Sequence, residues 1–314
     1  MTTRPQTVQP QDRVPAVSLI ICTRNRAADL EGCLASVSAA ARGRQDVEVI
    51  VVDNGSSDAT PAVVQGWAKT SGLAAIPLEE PVAGVSRAKN RALKAARGQI
   101  LAFTDDDCRL APDYFERLIE AHDHHSGPRL IGGRVELGGD DALPFTIKTA
   151  MEPETLGGDT HPGGFVHGCN LSLSRSLFER IGGFDVRLGP GAPISAAEDT
   201  DLVIRAQLAG AQVVYVPDFV VFHHHGRNRN AQVRALHRSY NAGNGALYLK
   251  YAFRYPALLR HLYWDLRNGL KERFGGPLFN EALGLTHWGK VSGNLAGAVQ
   301  MLCLVLGIGG LDQP

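Results

Sequence analysis

The sequence predicts an α/β fold with a largely parallel sheet and a helical C-terminal region, and three observations carry that prediction. Short β-branched runs alternate with Ala-rich stretches of helical period through the first half of the chain. Acidic residues recur where those runs end. Beyond Gly226 the strand signals stop, and Arg interleaves with aromatic residues.

The first strand is expected in "AVSLIICT" (16–23), the second in "VEVIVVDN" (47–54), a weaker third in "LAAIPL" (73–78) and a fourth in "QILAFTDDD" (99–107). Between them, "DLEGCLASVSAAARG" and "TPAVVQGWAKTSG" read as helices, and Pro61 suits a first helical turn. "GVSRAKNRALKAARG" (84–98) reads as a third helix starting near Ser86. The order is therefore β-α-β-α-β-α-β. After about residue 130 the pattern is mixed: "LIGGRVELGG", "GFVHGCNLSLS", a helix-like "RSLFERIGG", "EDTDLVIRAQLAG" and the strand "QVVYVPDFVVFH". We divide the chain into a frayed lead-in (1–15), a main domain (16–225) and a helical region (226–314).

At 314 residues, 44% hydrophobic and 20% charged, the chain is long enough to bury one large core and carry an appendage. Lys plus Arg and Asp plus Glu number 32 each, so no global field recruits nucleic acid, and none is expected as a partner. Five cysteines (Cys22, Cys33, Cys108, Cys169, Cys303) are odd in number and scattered, with no C-x-x-C pair. That usage fits a reducing compartment without disulfides or a cysteine zinc site. The polar, proline-bearing start lacks the apolar core of a signal peptide, so a cytoplasmic location is expected.

"ILAFTDDDCRL" (100–110) sets three aspartates directly after an apolar run, against both mutual repulsion and partial burial. Either the run is a solvated turn or a positive partner sits there. Ligands of open α/β sheets bind beyond the carboxyl ends of the strands, where one crevice could collect Asp53 with Asp105, Asp106 and Asp107. Four acids in one crevice call for a cation, and Mg2+ or Mn2+ takes carboxylate oxygens while keeping positions for phosphate. Neither G-x-G-x-x-G nor G-x-x-x-x-G-K-[ST] occurs, so phosphate must be held differently. In the third helix Arg87 and Lys89 fall in the first turn, where the macrodipole disfavours a cation by roughly 0.3–1 kcal/mol. A bound anion would offset that cost, so Arg87, Lys89 and Asn90 are read as donor-side residues. Arg91, Lys94 and Arg97 are read as a solvated basic face.

"VSLIICTRNRAADLEGCLASV", "VEVIVVDNGSSDATPAVV", "GVSRAKNRALKAARGQILAFTDDDC", "GCNLSLSRSLFERIGGFD" and "AEDTDLVIRAQLAG", in this order and spacing, resemble the family 2 glycosyltransferases of GT-A fold. The resemblance runs from about residue 16 to about 225. It implies a Rossmann-like mixed sheet, mostly parallel, with helices on both faces. It also implies a nucleotide-sugar donor, a divalent metal (Mn2+ or Mg2+) bridging its diphosphate, and sugar transfer to an acceptor hydroxyl with inversion.

Carried over by position, Thr23, Asn25 and Arg26 match the loop near the nucleotide base, and Asp53 the acid contacting that base, usually uracil. Asp105 and Asp107 match the D-x-D motif, Asp105 near ribose and metal and Asp107 as the direct metal ligand, with Asp106 at the variable middle position. Asp199 matches the general base, with Glu198 beside it. His167, Cys169 and Asn170 match the segment near donor sugar and acceptor. In "VVFHHHGR" the resemblance assigns His223 to the metal shell, with His225 as its competitor.

The chemistry agrees with this division, because single displacement needs a base for the acceptor proton and positive charge on the leaving diphosphate. Asp201 with Arg205 reads as a structural i,i+4 pair and Asp58 as a helix cap. "AHDHHSG" (121–127) reads as a solvated loop. Residues 226–314 have the composition of basic interfacial helices, and 291–311 form a run of 21 residues without a charge. Burial on the main domain, a homodimer interface and peripheral membrane contact at the inner face all fit that run, ahead of a true span. A glycan or lipid-linked glycan is the acceptor such an appendage suits. A noncatalytic nucleotide-sugar binder and a nucleotidyltransferase of related fold are the competing readings. The first would keep the donor motifs and lose the base; the second would show a Gly-rich triphosphate loop where this chain has "CTRNRAADL".

Overall fold

In the computed structural model residues 14–139 and 142–308 are described. Most of the 1–15 lead-in, and residues 309–311 of the apolar run, lie outside the described residues. The first half alternates as its sequence pattern dictates: β1 (Val17–Thr23), α1 (Ala27–Ala40), β2 (Val47–Asp53), α2 (Thr60–Thr70), β3 (Ala74–Glu79), α3 (Val85–Ala95) and β4 (Ile100–Asp105). There follow β5 (Cys108–Leu110), α4 (Tyr114–Asp123), β6 (Arg129–Leu137), β7 (Glu154–Thr155), β8 (Asn170–Ser174), α5 (Arg175–Ile181), α6 (Glu198–Leu208) and β9 (Gln212–His223). Three helices close the chain: α7 (Asn230–Tyr251), α8 (Leu259–Arg273) and α9 (His287–Leu306).

One mixed sheet runs β3-β2-β1-β4-β8-β6-β9-β5, with β7 also on β9. The strands β3, β2, β1 and β4 are mutually parallel, so their carboxyl ends share one edge. β8 lies antiparallel between β4 and β6, and β6 pairs parallel with β9. β3, the weak sequence signal, is an edge strand with no fully buried residue, which is why two alanines and a proline are tolerated where the central strands carry β-branched residues.

Alternation along β1 explains the two-sided core. Val17, Leu19 and Ile21 point into a layer with α1, α2 and α4, through Leu30, Leu34, Val64 and Phe115. Ile20 points into the opposite layer, with Ala88 and Ala92 of α3, Leu177 of α5 and Leu202 of α6. A third cluster joins Leu188, Ile194 and Ile204 of the main domain to Leu247, Tyr251 and Met301 of α7 and α9.

The close crossing of α7 and α9 depends on glycine. A Cβ at Gly245 would overlap the Asn294 carbonyl, and one at Gly297 the Ala242 carbonyl. Small residues let the two backbones touch, so the helices pack along one face of α9 and leave its other face uncovered.

The expectation of a solvated loop over 121–127 is corrected. Residues 121–123 belong to α4, and His122 is fully buried beside Leu118 and Phe115 of the same helix face. Its Nε2 lies 2.9 Å from Ser172 Oγ, and its Nδ1 accepts from Arg129 Nε at 3.3 Å. The N-cap of α2 is Ala59 rather than Asp58, which lies one residue earlier and accepts the Thr60 N–H at 2.9 Å. Asp201 is structural but more than an i,i+4 partner: it meets Arg205 at 2.8 Å, Lys250 at 2.5 Å and the Tyr251 hydroxyl at 2.8 Å, so it ties α6 to α7.

A candidate active site beyond the strand ends

The carboxyl ends of β1 and β4, the turn before β5, the start of α6 and the inner sides of the C-terminal helices enclose a cavity of about 840 Å³. Its near wall carries Asp105, Asp106 and Asp107, with Asp199 and Glu198 across from them. Its far wall is built from α7 and α8, by residues such as Tyr240, Tyr248 and Trp264.

The acidic turn has a positive partner in the chain itself. Arg26 Nε lies 3.1 Å from Asp106 and its Nη2 2.9 Å from Asp107. His223 Nε2 lies 3.3 Å from the other Asp107 oxygen. The antiparallel register that puts His223 opposite Cys108 delivers the ring to this place. Burial pushes the Asp106 carboxyl up to about 7 although Arg26 works against it. Burial, then Asp107, raises Asp105. For Asp107 burial acts upward too, but the hydrogen bond and charge of His223, with the charges of Arg26 and Arg227, outweigh it and hold the carboxyl below its ordinary value. Burial would likewise lower His223, yet Asp107 lifts it to about 9.

The second acidic element is the start of α6. Glu198 is enclosed and meets Lys89 Nζ at 3.2 Å. Burial raises its carboxyl and Lys89 opposes the rise. One residue on, Asp199 lies on the cavity wall and accepts the Thr200 N–H at 2.6 Å. A Cβ at Gly168 would sit 3.3 Å from the other Asp199 oxygen, so the glycine of "HGCN" leaves that carboxylate room.

Three non-glycine residues among those described have positive φ: Asn25 (53°), Thr146 (56°) and Ala197 (75°). Asn25 precedes Arg26, Thr146 contacts His223, and Ala197 immediately precedes Glu198. Such conformations cost about 1–3 kcal/mol each and concentrate at functional sites, so their grouping around one cavity marks it independently of the acids.

Of the residues picked out by sequence, the cavity gathers Thr23, Arg26, Lys89, Asp105, Asp106, Asp107, His167, Cys169, Glu198, Asp199 and His223. Burial pushes His167 down to about 4, so its ring is neutral. The others lie elsewhere. Asp53 is buried one residue behind the wall, which Asn54 provides, and it accepts the Ser56 N–H at 3.3 Å. Asn25 accepts the Ser57 N–H at 2.7 Å and so shapes the loop that aims Arg26. Arg87 is exposed on the solvent side of α3 with Arg91 and Lys94, off the cavity wall. Asn90 fastens Phe184, donating to its carbonyl at 2.9 Å and accepting its N–H at 2.7 Å. Asn170 is in the core, bonded to the Tyr114 hydroxyl at 3.1 Å and the Arg134 carbonyl at 2.9 Å. His225 is also behind the wall, its Nδ1 accepting the Arg227 N–H at 3.0 Å.

Sequence reasoning passed over Arg227. It lines the cavity, and its Nη1 is buried with no hydrogen-bond partner among the described residues. Its signal was its place, four residues past the end of β9 in "HHHGR".

The donors present fit a hard divalent ion. Asp107, Cys108 and His223 offer ligand atoms within 4.8 Å of one another. Burial raises the Cys108 thiol well above its ordinary value, so it stays protonated. The Asp107 oxygens remain, joined by the His223 nitrogen once a cation displaces the proton it holds beside Asp107, and carboxylate oxygen is the donor that suits Mn2+ or Mg2+.

Comparison with known proteins bears on what this cavity serves. Residues 18–182 match the family model described as glycosyl transferase family 2. The chain is 28% identical over 214 residues to Glycosyltransferase AglE of Haloferax volcanii, covering 67% of each protein. It is 29% identical over 303 residues to the N-acetylglucosaminyl-diphospho-decaprenol L-rhamnosyltransferase of Mycobacterium tuberculosis, covering 83% of this chain and 92% of that one. Among solved structures, the mannosyltransferase PcManGT of Pyrobaculum calidifontis, in complex with GDP-Man and Mn2+, superposes with a TM-score of 0.64 at 23% identity. That match covers 95% of this chain and 90% of the other, and it shows a shared GT-A fold.

Proposed function

The chain belongs to glycosyl transferase family 2, and from that premise we propose that it moves a sugar from a nucleotide-diphosphate sugar to a hydroxyl of a glycan or lipid-linked glycan, with inversion. The observation that carries this reading is the meeting of two separately held acidic groups, Asp105–Asp107 with His223 and Asp199 with Glu198, across one cavity.

Each residue has a distinct task. Asp199 takes the proton of the acceptor hydroxyl as its oxygen forms the new bond to the anomeric carbon. The bond from that carbon to the diphosphate oxygen breaks on the opposite face, which inverts the centre. Asp107 and His223 would hold a divalent ion, with Asp105 beside them toward the ribose. A bound Mn2+ or Mg2+ would offset the charge developing on the leaving diphosphate. To Arg26, which holds Asp106 and Asp107 together, and to Arg227, whose Nη1 has no hydrogen-bond partner among the described residues, we assign contact with the phosphates. Glu198 is a positioning residue: paired with Lys89, it fixes the first turn of α6 and with it Asp199.

The donor is proposed as a UDP-sugar on the family resemblance at Asp53, which here stands behind Asn54 and off the cavity wall and is not counted as a donor contact. The GDP-Man of the Pyrobaculum calidifontis mannosyltransferase makes GDP its first competitor. The lipid diphosphate in the name of the mycobacterial relative supports a lipid-linked acceptor. Free cysteines throughout the described residues suit a cytoplasmic site of action.

The test is a thermal-shift series with UDP, GDP, dTDP and CDP, each with Mn2+, Mg2+ or chelator. At one hundred times Kd a ligand adds about 2.7 kcal/mol of apparent stability, so a single metal-dependent rise identifies the nucleotide. Asp107→Ala should abolish the metal dependence, whereas Asp199→Asn should preserve the shift and abolish transfer from the nucleotide's sugars. Absence of a shift with all four nucleotides, or transfer that survives Asp199→Asn, overturns the reading.

A further inference from the structure

The C-terminal helices turn an unusual amount of apolar surface outward. On α9, Trp288, Leu295, Val299, Leu302 and Leu306 recur at helical spacing and are all 45–65% exposed. The opposite side, with Asn294, Gly297, Met301 and Leu304, is the one packed inward. On α8, Leu259, Tyr263, Leu266 and Leu270 form a second exposed stripe at i, i+4, i+7 and i+11, extended by Phe274. Isolated surface leucines need no explanation; two full stripes on adjacent helices do.

Charge selects the occupant. Residues 250–274 carry six Lys or Arg against two acids. Of the six, Lys250 and Arg260 are spent on Asp185, Asp201 and Asp159. Arg254, Arg267, Lys271 and Arg273 have no carboxylate partner among the described residues. A second copy of the chain would bring the same unpaired cations to its own interface, whereas an anionic bilayer supplies both the apolar phase and the counter-charge.

We propose that α8 and α9 seat the enzyme on an anionic membrane surface, lying in the plane of the headgroups with both stripes inserted. At 20 residues and about 30 Å, α9 is long enough to span the hydrocarbon core. It is held back from doing so by its polar side. Lys290 meets Asp265 of α8 at 2.5 Å, Asn294 meets the same carboxylate at 3.4 Å, and Gln300 donates to the Pro193 carbonyl at 2.5 Å. Trp264 belongs to both regions, since it lines the catalytic cavity and is 44% exposed. The surface that meets lipid is therefore continuous with the wall of the cavity, and a lipid-borne acceptor would reach the cavity without leaving the membrane.

Binding does not depend on the sugar-transfer reading, and its test needs no substrate. The full chain is sedimented with vesicles of phosphatidylcholine alone and of phosphatidylcholine with phosphatidylglycerol, at low and high salt. Co-sedimentation with the anionic vesicles, weakened by salt, is expected. Arg267→Gln with Lys271→Gln should weaken it by roughly tenfold or more, and Leu295→Asp with Val299→Asp should abolish it. Circular dichroism melts and the nucleotide thermal shift of each variant verify that the fold and the donor site are intact. The proposal is overturned by absence of co-sedimentation, by equal binding to both vesicle types, or by a dimer in light scattering that Leu295→Asp with Val299→Asp converts to monomer.

Discussion

The ammonium of Lys89 lies 3.2 Å from the carboxylate of Glu198, and both side chains are nearly closed to solvent. α3 and α6 are thus joined by a buried ion pair directly beside Asp199. Removing one partner of such a pair leaves an uncompensated charge and costs about 3–5 kcal/mol. Lys89→Met should lower stability by about that amount in urea unfolding. The double variant Lys89→Met with Glu198→Gln should recover part of it, because it leaves no unpaired charge at the pair itself, while Asp105 still loses the Lys89 charge. If Glu198 acts by positioning Asp199, the double variant keeps nucleotide binding while kcat remains low. A double variant as unstable as the single one would show that packing, not charge, carries the contact.

His122 gives the fold an acid limit far from the site. Burial pushes its pKa down to about 3 from an ordinary 6.5. The unfolded chain therefore binds a proton that the folded chain refuses between those values. Stability falls with pH throughout that window, by about 1.4 kcal/mol per unit. Replacing His122 by Gln, whose amide can meet both Ser172 and Arg129, removes the share of the dependence that His122 contributes. The variant is expected to gain about 3 kcal/mol relative to wild type on going from pH 7 to pH 4, read from urea unfolding at each pH. Parallel loss in both proteins would refute it.

His122 also shows which parts of the fold were legible. The parallel half of the sheet and its helices followed from periodicity, which is local, and the strand-end acids from their position on that pattern. "AHDHHSG" looked like a polar loop because three histidines were weighed by type. Helical spacing from Phe115 and Leu118 to His122 was the overlooked clue. Asn90 and Asn170 carry hydrogen bonds to residues 94 and 36–56 positions away, and nothing local distinguishes such amides from ligand-facing ones. Arg87 and Lys89 share a helical turn yet face solvent and cavity respectively, a difference set by how α3 rolls onto β1 and β2. The far wall of the cavity was illegible for the same reason, since only the docking of α7 and α8 brings it there.

That docking depends on Asp201. Its carboxylate is fully buried and gathers Arg205, Lys250 and Tyr251, linking α6 to the C-terminal region. Asp201→Asn leaves Arg205 facing a neutral amide while Lys250 keeps Asp185 at 2.7 Å, so a loss of about 3 kcal/mol, the lower end for a broken buried pair, is expected. Because the contact joins two parts of the chain, the loss should appear first as protease sensitivity between residues 226 and 286. Uniform destabilisation with an unchanged cleavage pattern would mean that the C-terminal helices do not detach separately.

Arg227 makes the most direct claim on the site. A guanidinium with a buried, unpartnered Nη1 is unfavourable unless a ligand completes it, since an unmet buried donor costs about 1–3 kcal/mol. A diphosphate is the partner that the cavity's proposed use supplies. Hydrogen bonds to charged groups contribute about 1.5–3 kcal/mol, so Arg227→Met should weaken nucleotide-diphosphate binding by roughly ten- to hundredfold. Stability of the free protein should change little, because the variant removes an unsatisfied donor but also a charge that helps keep Asp107 ionised. Arg227→Lys should restore part of the affinity through charge alone, without the planar two-point contact. Calorimetric titration of the matching nucleotide into the three proteins distinguishes the cases. Equal affinity in all three would show that Arg227 serves the cavity without touching the phosphates.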